Sequence, residues 1–147
     1  MSLLRDLYQE VILDHSKSPR NFSQLSDANR KADGYNPLCG DKVTVYLKVK
    51  DGVVEDVSFK GAGCAISTAS ASLMTQAVKG KDLAETEELF KSFHGLVTGQ
   101  AEEGSELGEL MAFQGVSEFP VRVKCATLAW HTLQAALEKG EATVSTE

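Results

Sequence analysis

No two cysteines of this chain form a C-x-x-C pair, no apolar run is long enough to cross a bilayer, and basic charge is not in excess. Each absence excludes something. Without the close cysteine pair there is no zinc-ribbon signature. A membrane helix needs roughly 20 apolar residues in a row, and none is found. With 15 basic against 21 acidic residues the net charge is -6, so there is no electrostatic footprint for nucleic acid. A basic protein surface is a compatible partner. The opening Met1-Ser2-Leu3-Leu4-Arg5-Asp6 lacks the basic start and apolar core of an export signal, so a reducing, cytoplasmic setting is expected. Disulfides are not expected either: the cysteines number three, and 147 residues with 42% apolar content can build a core without staples. There are no internal repeats and no linker. The expectation is one domain over residues 1–140, with 141–147 a frayed tail.

What is there reads as alternating helix and strand patterns. Leu3, Leu4, Leu7, Tyr8, Val11 and Ile12 recur at helical spacing and predict an amphipathic helix over 3–15. His15 at its end reads as a surface or capping residue, as His94 and His131 read as surface positions. Val43, Val45, Leu47 and Val49 alternate with polar residues, Asp51-Gly52 is a hairpin signal, and Val57 and Phe59 resume the alternation. A short strand over 31–35 adds a third member. Ile66, Ala69, Leu73, Ala77 and Val78 mark a second helix closed by Gly80, and Asp82 with Glu85 predicts a capping box for a third helix. Residues 100–109 are acidic and aperiodic, which reads as an exposed, partner-facing or merely tolerated loop. Pro120 opens the last helix, whose apolar stripe is Val123, Ala126, Trp130, Leu133 and Leu137.

Two of the three cysteines lie in glycine-bearing loops, where they have little core to fill. Cys39 lies in N-P-L-C-G-D before the first hairpin strand, and Cys64 lies in G-A-G-C-A-I-S at a helix threshold. Cys125 lies in V-K-C-A-T, about 200° around the last helix from Val123, pointing away from its main stripe. Cysteine often serves as a small buried hydrophobe, and that reading stands beside a ligand role for each one. Asp41, two residues after Cys39, can aim at the same point. Three thiolates and one carboxylate make a four-coordinate site suited to zinc, and the weaker carboxylate suggests a site able to open. An iron–sulfur cluster prefers four thiolates, although a transient one accepts an oxygen ligand. Arg122 and Lys124 flank Cys125; they either favour its ionised form or are a solvated helix start.

Three blocks, N-P-L-C-G-D-K, G-A-G-C-A-I-S-T-A-S-A-S and F-P-V-R-V-K-C-A-T-L-A-W, resemble the U-type iron–sulfur cluster assembly proteins, the IscU-like family. The N-terminal L-Y-Q-E-V-I-L-D-H-S-K-S-P-R-N matches the same family, so the likeness runs from about Leu3 to Leu137. It implies an α+β fold, a three-stranded antiparallel sheet packed with helices, and a ligand set of Cys39, Asp41, Cys64 and Cys125. Lys124 stands where the scaffold branch carries histidine, Glu118-Phe119-Pro120 keeps one proline where that branch has two, and an extra segment falls within residues 93–113. These departures resemble the SufU-like branch, and imply a zinc-dependent sulfurtransferase that takes persulfide sulfur from a cysteine desulfurase. On that expectation Cys39 is the acceptor, Arg122 assists it, and downstream iron–sulfur scaffold or acceptor proteins receive the sulfur. The alternatives are a scaffold for a transient iron–sulfur cluster on the same residues, and an interaction module with structural zinc.

Overall fold

The computed structural model describes residues 3–37, 40–99, 107–139 and 141–145. The elements run α1 (Leu3–Lys17), β1 (Arg30–Asn36), β2 (Asp41–Lys50), β3 (Val53–Ala62), α2 (Ala65–Val78), α3 (Leu83–Val97), a 3₁₀ helix (Gly108–Glu118), α4 (Pro120–Lys139) and β4 (Glu141–Ser145). This is the α+β architecture expected, with β1, β2 and β3 forming the antiparallel sheet. The β2–β3 hairpin turns at Asp51 and Gly52, both at positive φ (53° and 75°), the paired left-handed conformation that D-G sequences favour.

One face of the sheet supplies the core. Val43, Val45 and Leu47 of β2 and Val57 and Phe59 of β3 are buried, while Lys42, Thr44 and Lys60 alternate outward. Against the sheet lie α2, buried on most sides, and α4, whose Ala126, Trp130 and Leu133 face inward as their spacing predicts. Trp130 stacks on Phe93 at 4.6 Å between ring centroids and donates its indole N–H to Ser70 Oγ. Ser70 in turn donates to the Ala126 carbonyl at 2.5 Å, which pins α2 to α4. Among the described residues no helix is long and apolar enough to cross a membrane.

The crossing of α4 over β1 places the site. At Gly34 a β-carbon would collide with Thr132 Oγ1, so only glycine admits this approach. Gly34 and Asn36 share a strand face, and Thr132 and Cys125, seven residues apart, share a helix face. The close crossing therefore also carries Cys125 to the end of β1.

Four expectations are corrected. Residues 141–145 are not a frayed tail but form β4, which pairs parallel with β1 and completes the order β3-β2-β1-β4. The segment 107–109, expected in an exposed loop, begins or precedes a 3₁₀ helix whose Leu110, Phe113 and Val116 are buried; residues 100–106 of that loop lie outside those described. His15 is 2% exposed rather than at the surface. It continues the inward stripe of Tyr8, Val11 and Ile12 by one helical turn, while Leu7, expected in that stripe, is half exposed.

Candidate metal centre

The site is assembled from three separate segments. Strands β1 and β2 pair as far as Asn36 opposite Asp41, so the four residues between them are the connection, and Cys39 belongs to it. Leu38 and Cys39 lie outside the described residues. Asp41 is 2% exposed as the first residue of β2. Cys64 is half-buried at the N-cap of α2, and Cys125 is 2% exposed in the second turn of α4.

Their donor atoms converge. One carboxylate oxygen of Asp41 and the sulfurs of Cys64 and Cys125 all lie within 4.8 Å of one another. Cys64 Sγ is 3.9 Å from Asp41 Oδ2. A tetrahedral zinc with sulfur and oxygen ligands sets its donors about 3.6–3.8 Å apart, so the Cys64–Asp41 pair already stands near that spacing and the whole set would draw in by no more than about 1 Å. Three of the four expected ligands are thus brought together; the fourth, Cys39, is tethered two residues from Asp41.

Each donor is steadied by a neutral N–H. The Cys64 backbone N–H donates to Asp41 Oδ1 at 2.9 Å, which leaves Oδ2 turned to the sulfurs. Gly63 makes room for this: a β-carbon there would lie 2.5 Å from Asp41 Oδ1. Cys64 Sγ accepts from the Ser67 backbone N–H at 3.4 Å, the capping bond of α2, and so sits at the positive end of the helix dipole. That placement suits a thiolate.

Asn36 completes the group, and sequence reasoning missed it. Its side-chain NH₂ donates to Asp41 Oδ2 at 3.2 Å and to Cys125 Sγ at 3.4 Å. The residue has no solvent exposure, and its Oδ1 is buried without a hydrogen-bond partner among the described residues. Asn-Pro reads as turn chemistry in a sequence. A signal was present all the same: residues flanking a four-residue hairpin connection face each other, which sets Asn36 opposite Asp41.

The centre opens into a cleft of about 590 Å³ lined by Cys64, Ile66, Phe119, Val121, Arg122 and Cys125. Phe119 and Val121 are exposed on its rim, and the Arg122 guanidinium lies 5.1 Å from the Phe119 ring centroid. Arg122 therefore borders the same opening as the two sulfurs. None of the three histidines joins the group. His15 is held by Ser72, and His94 and His131 pack around Phe90.

The NifU-like N-terminal domain family matches residues 7–145. The zinc-dependent sulfurtransferase SufU of Bacillus subtilis is 46% identical over 139 residues, spanning 94% of each chain. The iron–sulfur cluster assembly scaffold protein IscU of Streptococcus pyogenes is 43% identical over 140 residues, 95% of this chain and 87% of that one. The crystal structure of the SUF-system protein FiSufU from Fervidobacterium islandicum superposes with a TM-score of 0.84 at 36% identity, over 91% of this chain and 98% of that one. A NifU-like N-terminal domain from Brucella abortus gives 0.82 at 26% identity, over 92% and 95%.

Proposed function

The chain belongs to the NifU-like N-terminal domain family of iron–sulfur cluster assembly proteins, and on that premise we propose that it is a zinc-dependent sulfurtransferase. It accepts persulfide sulfur from a cysteine desulfurase and passes it to a downstream iron–sulfur scaffold or acceptor protein. The observation that carries this reading is the convergence of Asp41, Cys64 and Cys125, with both cysteines lining an open cleft and Cys39 two residues from Asp41 in sequence. Zinc would be held by Cys39, Asp41, Cys64 and Cys125. When bound it keeps the thiols ionised and shields them from oxidation.

The protein's own groups perform the transfer. The Cys39 thiolate attacks the outer sulfur of the desulfurase persulfide. A new S–S bond forms at Cys39, the old one breaks, and the desulfurase cysteine leaves as a thiolate. No oxidant is consumed. Cys39 suits the role because the connection between β1 and β2 that carries it is only four residues long and its sequence neighbours are small or polar. Cys125 suits it poorly, being buried and hydrogen-bonded by Asn36. Arg122, on the cleft rim, offers a fixed positive charge to the incoming anionic sulfur. Such chemistry belongs in a reducing, cytoplasmic compartment.

A second reading, a scaffold for a transient iron–sulfur cluster, draws support from the relatives named as scaffolds and from the sulfur-rich donor set. One experiment separates the two. Protein purified in air is analysed for metal, then added to a desulfurase while alanine release is followed. One zinc per chain and faster alanine release support the transferase; visible cluster absorption with unchanged alanine release supports the scaffold.

A further inference from the structure

We propose that Asn36 is a positioning residue, whose buried carboxamide donates to Asp41 Oδ2 and Cys125 Sγ at once and holds these two donor atoms at ligand separation before any metal arrives. The inference rests on the metal-centre reading above but not on sulfur transfer. Asp41 comes from the β1–β2 hairpin and Cys125 from α4, and the Asn36 carboxamide bridges the two segments at this point. A carboxylate and a sulfur this close are both hydrogen-bond acceptors and would repel as a carboxylate–thiolate pair, and a shared donor between them offsets that repulsion. The neighbouring backbone N–H groups of Cys64 and Ser67 each serve one atom. Asn36 serves two, and it does so from a side chain.

The state of the amide oxygen points the same way. Oδ1 is buried without a partner among the described residues, a cost that proteins generally avoid. An apolar side chain would escape that cost, so the amide is not there to fill space. Its orientation is fixed by charge as well. A flipped amide would set Oδ1 against a carboxylate and a sulfur, whereas the NH₂ group meets both as a donor. The clamp also closes the neck of the connection that carries Cys39, because Asn36 and Asp41 are its two flanking residues. Outer-shell partners of this kind tune metal affinity by orienting the ligands.

The test compares Asn36→Ala and Asn36→Asp with the parent protein. Zinc affinity is measured by competition with a chromophoric chelator, at a temperature where thermal unfolding shows each variant to be folded. Asn36→Ala is expected to weaken zinc binding about 10- to 100-fold. Asn36→Asp, nearly identical in shape but anionic, is expected to weaken it further by setting a third negative charge against the pair. Affinity within threefold of the parent for Asn36→Ala, or an Asn36→Asp variant that binds as tightly as the parent, overturns the proposal. A purely steric role lowers the melting temperature of Asn36→Ala but spares Asn36→Asp, which the comparison distinguishes. In the unsubstituted, metal-free protein the Asn36 NH₂ protons are expected to exchange slowly by NMR, and fast exchange like that of an exposed amide overturns the proposal without any variant. No desulfurase enters either measurement, so a failure of sulfur transfer would leave the result standing.

Discussion

A single methyl group at position 63 tests how Asp41 is held. Gly63 lies so close to Asp41 Oδ1 that Gly63→Ala must push the carboxylate off the Cys64 N–H. We predict that this variant keeps its fold but binds zinc at least about tenfold more weakly by chelator competition. Parent-like affinity would mean that the carboxylate does not depend on this fit. Asp41→Ala removes a ligand outright, and its zinc-loaded form is expected to react faster with a thiol reagent because a coordination position stands open; unchanged rates would remove Asp41 from the ligand set. At this scale the sequence was informative where chemistry is rare. Cysteines beside glycines and an aspartate at a spacing of two point to a site without any coordinates. Asn36 was not legible in the same way, because asparagine before proline has an ordinary explanation as a turn residue. Its role depends on α4 arriving from nearly 90 residues away, which no local pattern encodes.

Among the elements, α3 shows local chemistry read correctly. Asp82 accepts from the Glu85 N–H at 2.7 Å, and the Glu85 side chain accepts from the Asp82 N–H, the reciprocal box that the sequence predicts. Asp82→Ala should cost about 1 kcal/mol, or roughly 2–4 °C in melting temperature for a domain of this size. A melt unchanged within a degree would show that the cap contributes nothing.

Helix α1 teaches the opposite lesson. His15 sits in its buried stripe with Nδ1 2.7 Å from Ser72 Oγ, and that oxygen also accepts the Arg20 backbone N–H at 2.8 Å. Burial, and then the Arg20 charge, lower the His15 pKa from its usual 6.5; burial and the nearby His94 lower that of His131. The neutral ring is therefore the folded form, and the unfolded chain takes up the proton first. Stability is full above the ordinary value of 6.5 and is lost as pH falls below it, toward the lowered folded values. Melting curves of metal-free protein between about pH 7.5 and 5 should fall on the acid side, and His15→Gln should flatten part of that slope. A parent slope unaffected by His15→Gln would exclude this origin. A polar residue at a stripe position is ambiguous in sequence, and burial was decided by the Ser72 hydroxyl on α2. Strand β4 was missed for a related reason. Five mixed residues after a helix carry little pattern, and the ladder that orders them is supplied by β1.

Across the whole molecule, the proposed ligand set would tie together a hairpin connection, a helix N-cap and a helix about 60 residues beyond that cap. Metal that binds only the folded chain must therefore stabilise it. At free zinc a thousandfold above Kd the gain is about 4 kcal/mol, a rise of roughly ten degrees in melting temperature for a domain of this length. Metal-free and loaded protein that melt together would contradict the shared site. The three antiparallel strands, most of the helix faces and the α+β class were legible because hydrophobic period and turn chemistry agree over most of the chain. The donor set was legible from its residue types and again from the family resemblance, but the way the donors converge was not. It depends on the crossing at Gly34, a long-range contact with no local signature.

The central claim is that sulfur is received here, and at one cysteine. The most direct measurement is mass spectrometry of the zinc-loaded protein after incubation with a cysteine desulfurase and cysteine, with the persulfide mapped by residue. The account predicts one added sulfur on Cys39, with Cys64 and Cys125 unmodified and no addition to Cys39→Ala. Sulfur on Cys64 or Cys125 with Cys39 clean, or no sulfur on any of the three while the desulfurase turns over, would contradict it.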